Sequence, residues 1–582
     1  MQTIKDIKQY TFPALWKNTL SKFAERPALS FVNGTPFTYE QIDNKVKKVS
    51  ALLHSLGIKK GDRVSIFSTS MPNWGASYLG IVNMGAIAVP LLPDFSPVEV
   101  ESILNHAQVS VMFVSEKLWA KVKNLSDDIL PIVIKLDDFS FLRGCPTENP
   151  EDFNKTIDVS KIPSVEVLEG DTASIIYTSG TTGRSKGVEL SHKNLIWNAV
   201  QCQTVHRVNK RDRCLSFLPL SHVYEFTIGF VLMILNGSCI FYLERPPTVS
   251  SLLPAFKKIR PTIVLSVPMI MEKIYKNKIY PTLNKSEFSK KLYRIPFFQK
   301  ILHKVAGSKL KKTFGGRICF FGIGGAKVDT QVEYFLKDAK FNYAIGYGLT
   351  ETSPLLAGSS PKETIPGTVG PILRGVELAI INPDEETGIG EVVARGPNVM
   401  KGYYKDPELT KSVFTTEEDS VGAGWFRTGD LGVLHNGMWL ELKGRLKNMI
   451  LSSSGENIYP EDIEFVLNQH PLVNESLVVE EDGNLVALVQ LDGEKLKKDG
   501  TLLEKLLAAS SSVGDAVHDL TEDILYKQES LISEIKFFVN EKVNKMSKIS
   551  KIKFIENFEK TASQKIKRYM YNKDKKDKND KN

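Results

Sequence analysis

The stretch Tyr177–Gly187, YTSGTTGRSKG, is the part of the chain best equipped for chemistry. Its glycines leave backbone amides free to converge on an anion, and Thr178, Ser179, Thr181 and Thr182 add hydroxyl donors. Lys186 supplies a point charge suited to a phosphate oxygen. A flexible Ser/Gly/Thr surface turn would not need so strong a bias to small residues followed by a lysine. The loop is therefore read as a phosphate cradle. It is not a Walker loop, which requires GxxxxGK[ST] opening a helix. Counted from Gly180, the sixth position is Ser185 and Gly187 follows Lys186. Kinase and P-loop ATPase chemistry are set aside on that count.

The elements around the loop read as strands, ASIIYT before it and GVEL after it. Upstream, FTYEQIDNKVKKVSALLHSLG opens on a capping box (Thr38, Gln41) and sets Ile42, Val46, Val49 and Leu53 on one face, stopping at Gly57. DRVSIF then reads as strand, NWGASYLGIVNMG as helix and AIAVPLL as strand. This alternation predicts a mostly parallel sheet wrapped by helices. Between Gly367 and Val399 the texture shifts to short strands and turns, so a small β subdomain is expected over about 367–443. Past LELKGRLKNMILSSSGENIYP, a short helix opened by Pro460 and a hairpin turned at Asp482-Gly483 suggest a separate small α+β domain. The expected domains are thus 1–443 and 444–582, the latter with a helical insertion at about 500–545 and a basic tail at about 571–582.

Further motifs follow the loop in order: GIGGAKV, YGLTET (347–352), GEVVARGPNVMKGYYKDPELT (390–410), GWFRTGD (424–430), GRLKNMI (444–450) and SGENIYPEDIE (454–464). With YTSGTTGRSKG they resemble the AMP-forming acyl- and aryl-CoA synthetases, luciferases and peptide-synthetase adenylation domains, over about residues 10–570. The resemblance implies an α/β fold, with a large N-terminal domain of helix-flanked sheets, a small β-barrel subdomain and a small mobile C-terminal domain. It implies a two-step reaction using ATP, Mg²⁺ and coenzyme A, in which a carboxylate becomes an acyl-adenylate and then a thioester.

Carried onto this chain, the resemblance gives Thr178, Ser179, Gly180, Thr181, Thr182 and Lys186 the β- and γ-phosphates. Tyr347 would stack on adenine with Gly325 and Ala326 along it. Thr350 would meet the α-phosphate and Glu351 would orient the metal. Asp430 would accept from the ribose hydroxyls, supported by Arg445. The segment EKTASQKIKR would present the mobile Lys565, although Glu559 and Gln564 stand where the family has proline and glycine. If that last position needs φ > 0, glutamine is strained there. Lys447 would be the hinge, and Gly455 would let pantetheine pass. FLPLSHVYE (217–225) is similar to the long-chain fatty acyl version, with His222 near the carboxylate pocket; a core histidine satisfied by Glu225 stays open as the plainer reading. The implied activity is long-chain fatty acid:CoA ligase. An acyl carrier protein synthetase, a medium-chain or aryl-CoA ligase, and a non-catalytic acyl-adenylate binder remain alternatives.

Composition frames this. The chain has 582 residues, 42% of them hydrophobic, enough for more than one core. Its net charge of +8 lies wholly in residues 541–582, where 14 Lys+Arg face 6 Asp+Glu. That tail reads as a disordered solubilising segment, with attraction to anionic membrane or a phosphate-rich cofactor as the sharper alternative. No aromatics interleave with the lysines, so nucleic acid is not an expected partner. Five scattered cysteines argue for a reducing, cytoplasmic setting. The charged start lacks a signal-peptide core. FTIGFVLMILNGSCIFYL reads as a buried helix and strand rather than a membrane span.

Overall fold

Side-chain caps and glycine contacts set the first helices. Thr38 and Gln41 form a reciprocal capping box, the Gln41 amide donating to Thr38 Oγ1 at 3.1 Å and the Thr38 amide to Gln41 Oε1 at 2.9 Å. The helix Tyr39–Ser55 follows, burying Ile42, Val46, Val49 and Leu53. It packs on the wholly buried helix Pro72–Asn83, where a Cβ at Gly80 would meet Val49 Cγ1 at 2.6 Å. Only glycine lets the two approach so closely.

The computed structural model describes residues 8–148, 153, 157–179, 185–451, 457–481, 483–493, 522–561 and 565–571. Two eight-stranded sheets carry most of it. One runs Gly402–Tyr403, Ser185–Ser191, Thr172–Ser179, Ile87–Leu91, Arg63–Phe67, Val111–Val114, Ile132–Lys135, Phe141–Arg143. The other runs Leu355–Gly358, Tyr343–Gly348, Phe320–Ile323, Ile263–Ser266, Arg213–Ser216, Cys239–Tyr242, Pro27–Phe31, Phe37–Thr38. Their central pairs are parallel, with antiparallel strands at the margins. Central strands such as Ile263–Ser266 are buried at every position, as a sheet covered on both faces requires. A five-stranded sheet orders Gly370–Pro371, Trp439–Arg445, Phe426–His435, Gly390–Arg395 and Glu377–Ile381.

The apolar stretch at 226–242 is a buried helix leading to a buried strand, as expected. Its first part, Glu225–Val231, has the wider π pitch, followed by Leu232–Leu235 and Cys239–Tyr242. Among the described residues no helix is long and apolar enough to cross a membrane. All five cysteines are free.

The chain divides into two compact units: residues 1–379, 393–428 and 434–441, and residues 380–392, 429–433 and 442–582. In the second, Pro460–Leu467 begins with proline at its first turn, and the hairpin Val473–Glu481/Asn484–Leu491 takes Lys551–Phe554 as a parallel third strand. Leu531, Ile535 and Val539 of the helix Glu522–Asn540 close a core with Ile463, Leu467 and Val489.

Candidate active site

The cradle sits on an antiparallel hairpin. Tyr177 pairs Gly187, Thr178 pairs Lys186 and Ser179 pairs Ser185, so the loop leads from strand to strand. Gly180, Thr181 and Thr182 lie outside the described residues. A Cβ at Gly187 would meet Ile175 Cγ2 at 2.8 Å and the Tyr177 ring at 3.1 Å, so glycine is what lets Tyr177 fold across the hairpin. Burial holds the Tyr177 phenol well above its usual range, and its hydroxyl shares a hydrogen bond of 2.7 Å with His106 Nδ1. Burial also lowers the His106 pKa, which favours the neutral ring.

Lys186 points back to a neighbouring strand. Its Nζ donates to Tyr403 Oη at 3.2 Å and lies 4.5 Å from the centre of the Tyr403 ring. Tyr403 Oη in turn donates to Glu351 Oε1 at 2.9 Å. Burial, then the Glu351 charge, push the Tyr403 phenol far above its ordinary value, so it remains a donor. One hydroxyl thus couples the cradle's cation to a buried carboxylate. Tyr403 is placed by the strand Gly402–Tyr403 pairing with Val188 and Glu189, and by Thr410 Oγ1, which accepts from its amide at 2.8 Å.

Glu351 lies in a single 3₁₀ turn, Thr350–Thr352, directly after the strand Tyr343–Gly348. Side-chain amides secure what no ladder can. Asn198 Nδ2 donates to Leu355 O at 2.8 Å, and Asn398 Nδ2 to Thr352 O at 2.8 Å and Leu355 O at 3.2 Å. Thr350 is half-exposed and Tyr347 buried. Ile323 and Ile345 are register partners on adjacent parallel strands, so Gly325 and Tyr347 both lie two residues further on, at the carboxyl ends. Gly325 has φ +90° with open space where a Cβ would be, and Ala326 is exposed. Carboxyl ends of parallel strands are where open α/β sheets take ligands.

The face of this sheet also bounds an apolar pocket, whose lining includes Cys202, His206, Tyr224, Phe320, Gly322 and Gly346, with about 40 Å³ of free space. A Cβ at Gly322 would meet Tyr224 Oη at 3.0 Å, and one at Gly346 would meet Leu355 Cδ1 at 2.9 Å. His206 stacks on Phe320 with ring centres 4.8 Å apart.

His222 is half-buried, and its Nδ1 accepts from the Tyr224 amide at 3.3 Å, which places the proton of the neutral ring on Nε2. Glu225 does not satisfy it. Both Glu225 oxygens are buried without a partner of hydrogen-bonding geometry, although the Ser216 hydroxyl lies near enough to lower the pKa somewhat. Burial dominates and pushes that carboxyl up to about 8. Gly229, one turn on, makes the room, since a Cβ there would meet Glu225 Oε1 at 2.7 Å.

In the second unit Arg445 Nε lies 2.7 Å from Asp430 Oδ1, the arginine half-exposed and the aspartate buried. The two residues expected at one sugar are therefore partners. Lys447 is exposed in the one-turn helix Leu446–Asn448. Gly455 and Gln564 lie outside the described residues. Lys565 is exposed and bonded to Thr561: Thr561 N donates to Lys565 O at 2.7 Å, Lys565 N to Thr561 Oγ1 at 3.2 Å, and Lys560 bridges Ile566. Arg568 anchors this segment with two bonds to Glu464, at 2.6 and 2.7 Å, and one to Val478 O at 2.9 Å. Burial raises the Glu464 pKa and the Arg568 guanidinium pulls it back.

The family described as AMP-binding enzyme matches residues 16–404, two thirds of the chain. The protein belongs to that family. Long-chain-fatty-acid–CoA ligase FadD15 of Mycobacterium bovis is 27% identical over 560 residues, covering 92% of this chain and 90% of its own. Peroxisomal long chain acyl-CoA synthetase 6 of Arabidopsis thaliana is 30% identical over 492 residues, covering 77% and 67%. Among solved structures, ATP-bound MatB from Rhodopseudomonas palustris superposes with a TM-score of 0.73 over 97% of this chain and 99% of its own, at 21% identity. That last likeness is one of fold.

Within this AMP-binding enzyme, the donor set suits a magnesium ion carried by nucleotide. Glu351 is linked to the cradle's lysine through Tyr403, and Mg²⁺ is commonly held by one or two carboxylates plus substrate phosphates. Among the described residues no cluster of three or more metal-binding side chains competes with it. Tyr403, Asn198, Asn398 and the Glu464–Arg568 pair were not singled out by sequence reasoning. Tyr403 lies in KGYYKDPELT, a segment whose resemblance is plain but which assigns it no task.

Proposed function

We propose that the protein is an AMP-forming long-chain fatty acid:CoA ligase, converting fatty acid, ATP and CoA into acyl-CoA, AMP and pyrophosphate. The observation that carries this is the strand Tyr343–Gly348, whose Gly346 lines the apolar pocket and whose next turn presents Thr350 and Glu351. An acyl chain along that sheet brings its carboxyl to the polar end. There His222 Nε2–H donates to the carboxylate. Lys186, with the Thr178 and Ser179 hydroxyls and the Gly180–Thr182 backbone, holds the β- and γ-phosphates, while Thr350 contacts the α-phosphate. Glu351 would hold Mg²⁺, which neutralises charge developing on the departing pyrophosphate. Tyr347, Gly325 and Ala326 bound the adenine; Asp430, backed by Arg445, accepts from the ribose.

Attack of a carboxylate oxygen on the α-phosphorus expels pyrophosphate and leaves acyl-AMP. Lys565, supplied by the second unit, stabilises that transition state. For the second step Lys447 is the pivot that removes Lys565, and Gly455 lines the path of the CoA thiol, which attacks the acyl carbonyl and releases AMP.

Pyrophosphate and AMP production from ATP, Mg²⁺, palmitate and CoA tests the reading. No product with any acid from acetate to oleate refutes it, and turnover only with an acyl carrier protein reassigns the acceptor. Lys565→Ala abolishes adenylate formation and spares thioester formation from supplied acyl-AMP. Equal loss of both half-reactions overturns that role.

A further inference from the structure

The helix Pro296–Thr313 turns two unlike faces to its surroundings. Its inner face buries His303, Gly307 and Leu310. His303 Nδ1 meets Asp338 Oδ2 at 2.9 Å, and a Cβ at Gly307 would meet the Ala339 Cβ at 2.5 Å, so the helix lies hard against its neighbour. The outer face carries Phe297, Ile301 and Val305, exposed at 69%, 42% and 54%. At i, i+4 and i+8 they make one line along the outermost ridge. Ile295 and Phe298, also exposed, widen its N-terminal end. At 100° per residue, Lys300 and Lys304 flank the line on one side and Lys309 on the other, all exposed.

Charge on this segment has a single sign. Residues 288–328 hold ten Lys+Arg and not one Asp or Glu. An exposed apolar line of this kind marks a surface that something covers. A second copy docking by the same face would oppose lysine to lysine across a two-fold axis. A folded protein partner is disfavoured as well, because lysine is depleted from such interfaces. An anionic bilayer fits both features: the aromatic and aliphatic side chains enter the acyl boundary while the lysines reach the headgroups.

We propose that the Phe297–Ile301–Val305 ridge and its flanking lysines form a peripheral membrane-docking face for anionic phospholipid. The helix lies in the plane of the interface and does not span it.

Sedimentation of the full-length protein with vesicles tests this, comparing phosphatidylcholine alone with phosphatidylcholine plus phosphatidylserine. Wild type partitions to the anionic vesicles, and added salt releases it. Phe297→Ser/Ile301→Ser/Val305→Ser loses at least tenfold in partitioning. Lys300→Glu/Lys304→Glu/Lys309→Glu loses about a hundredfold or more, since each lysine near an anionic surface is worth about fivefold. Both variants keep the wild-type melting temperature and turnover of detergent-dispersed palmitate, because the altered side chains are exposed. Removal of residues 572–582 costs less than either. The face is refuted if wild type ignores anionic vesicles, if either triple variant binds as wild type does, or if tail removal alone abolishes binding. It is equally refuted if the serine variant turns a wild-type dimer into a monomer, which would make a second copy the occupant.

Discussion

Tyr403→Phe removes one oxygen from the centre of the candidate site and leaves the ring. That oxygen donates to Glu351 Oε1 at 2.9 Å and accepts from Lys186 Nζ at 3.2 Å. Hydrogen bonds to charged groups contribute about 1.5–3 kcal/mol each. The two share one hydroxyl, and Lys186 keeps its 4.5 Å contact with the ring centre, so the loss is nearer one such bond than two. About 2 kcal/mol corresponds to roughly a thirtyfold fall in the adenylation half-reaction. ATP–pyrophosphate exchange at saturating acid measures it directly. Thioester formation from supplied acyl-AMP stays at the wild-type rate, because the lost bond serves the phosphate end. Calorimetric titration gives a readout without turnover: affinity for Mg·ATP weakens about tenfold or more as Glu351 and Lys186 lose their common partner. Exchange and nucleotide affinity both within threefold of wild type would refute the coupling.

Two further predictions concern buried charge. Glu225 is pushed up to about 8 in the folded protein against 4.5 ordinarily, so between those values the unfolded chain binds fewer protons and stability falls as pH rises. The contribution is intact below about pH 4.5 and amounts to a loss of about 3 kcal/mol at pH 7. Glu225→Gln removes that slope: the variant gains on wild type steadily from pH 5 to pH 8 in thermal melts, and parallel curves would refute the assignment. Arg568→Met leaves Glu464 buried without its guanidinium, a loss of about 3–5 kcal/mol. The second unit's urea transition moves to lower denaturant while the first unit's stays put, and adenylation falls as the Lys565 connection loses its anchor. An unmoved second transition would refute it.

What could be read from the sequence was local. The capping box at Thr38 and Gln41, the buried face of Ile42, Val46, Val49 and Leu53, and the strand-to-strand setting of the phosphate loop each follow from residues within one element. The candidate carriers of chemistry could be named for a related reason: the resemblance attaches a cradle, a carboxylate turn and a lysine to short strings. Tyr403 was not, because its task depends on Lys186, 217 positions away, and on Glu351, 52 away. Nothing in GYY reports that. For His222, a place near the carboxylate pocket was expected, with a core histidine satisfied by Glu225 left open as the plainer reading. The imidazole accepts from the Tyr224 amide and both Glu225 oxygens lack a partner of hydrogen-bonding geometry, while the π pitch begins only at Glu225. An apolar run announces burial, but its periodicity does not separate π from α.

The same residues explain why the site's carboxylate can be both buried and poised. Glu351 follows a strand end, in a turn too short to satisfy its own carbonyls. Asn198 and Asn398 come from distant segments to the same Leu355 carbonyl, and Asn398 also takes that of Thr352. These amides hold the turn rigid without offering Glu351 a cation, and the bond it receives is from a neutral phenol. A neutral donor steadies a carboxylate without quenching its charge, whereas a direct salt bridge to Lys186 would have to break before either residue could meet a nucleotide. Placing Tyr403 between them holds the lysine and the carboxylate apart, each oriented by the same hydroxyl. That is the arrangement a triphosphate with its counterion requires, since the anion and the cation must enter together between groups of opposite sign.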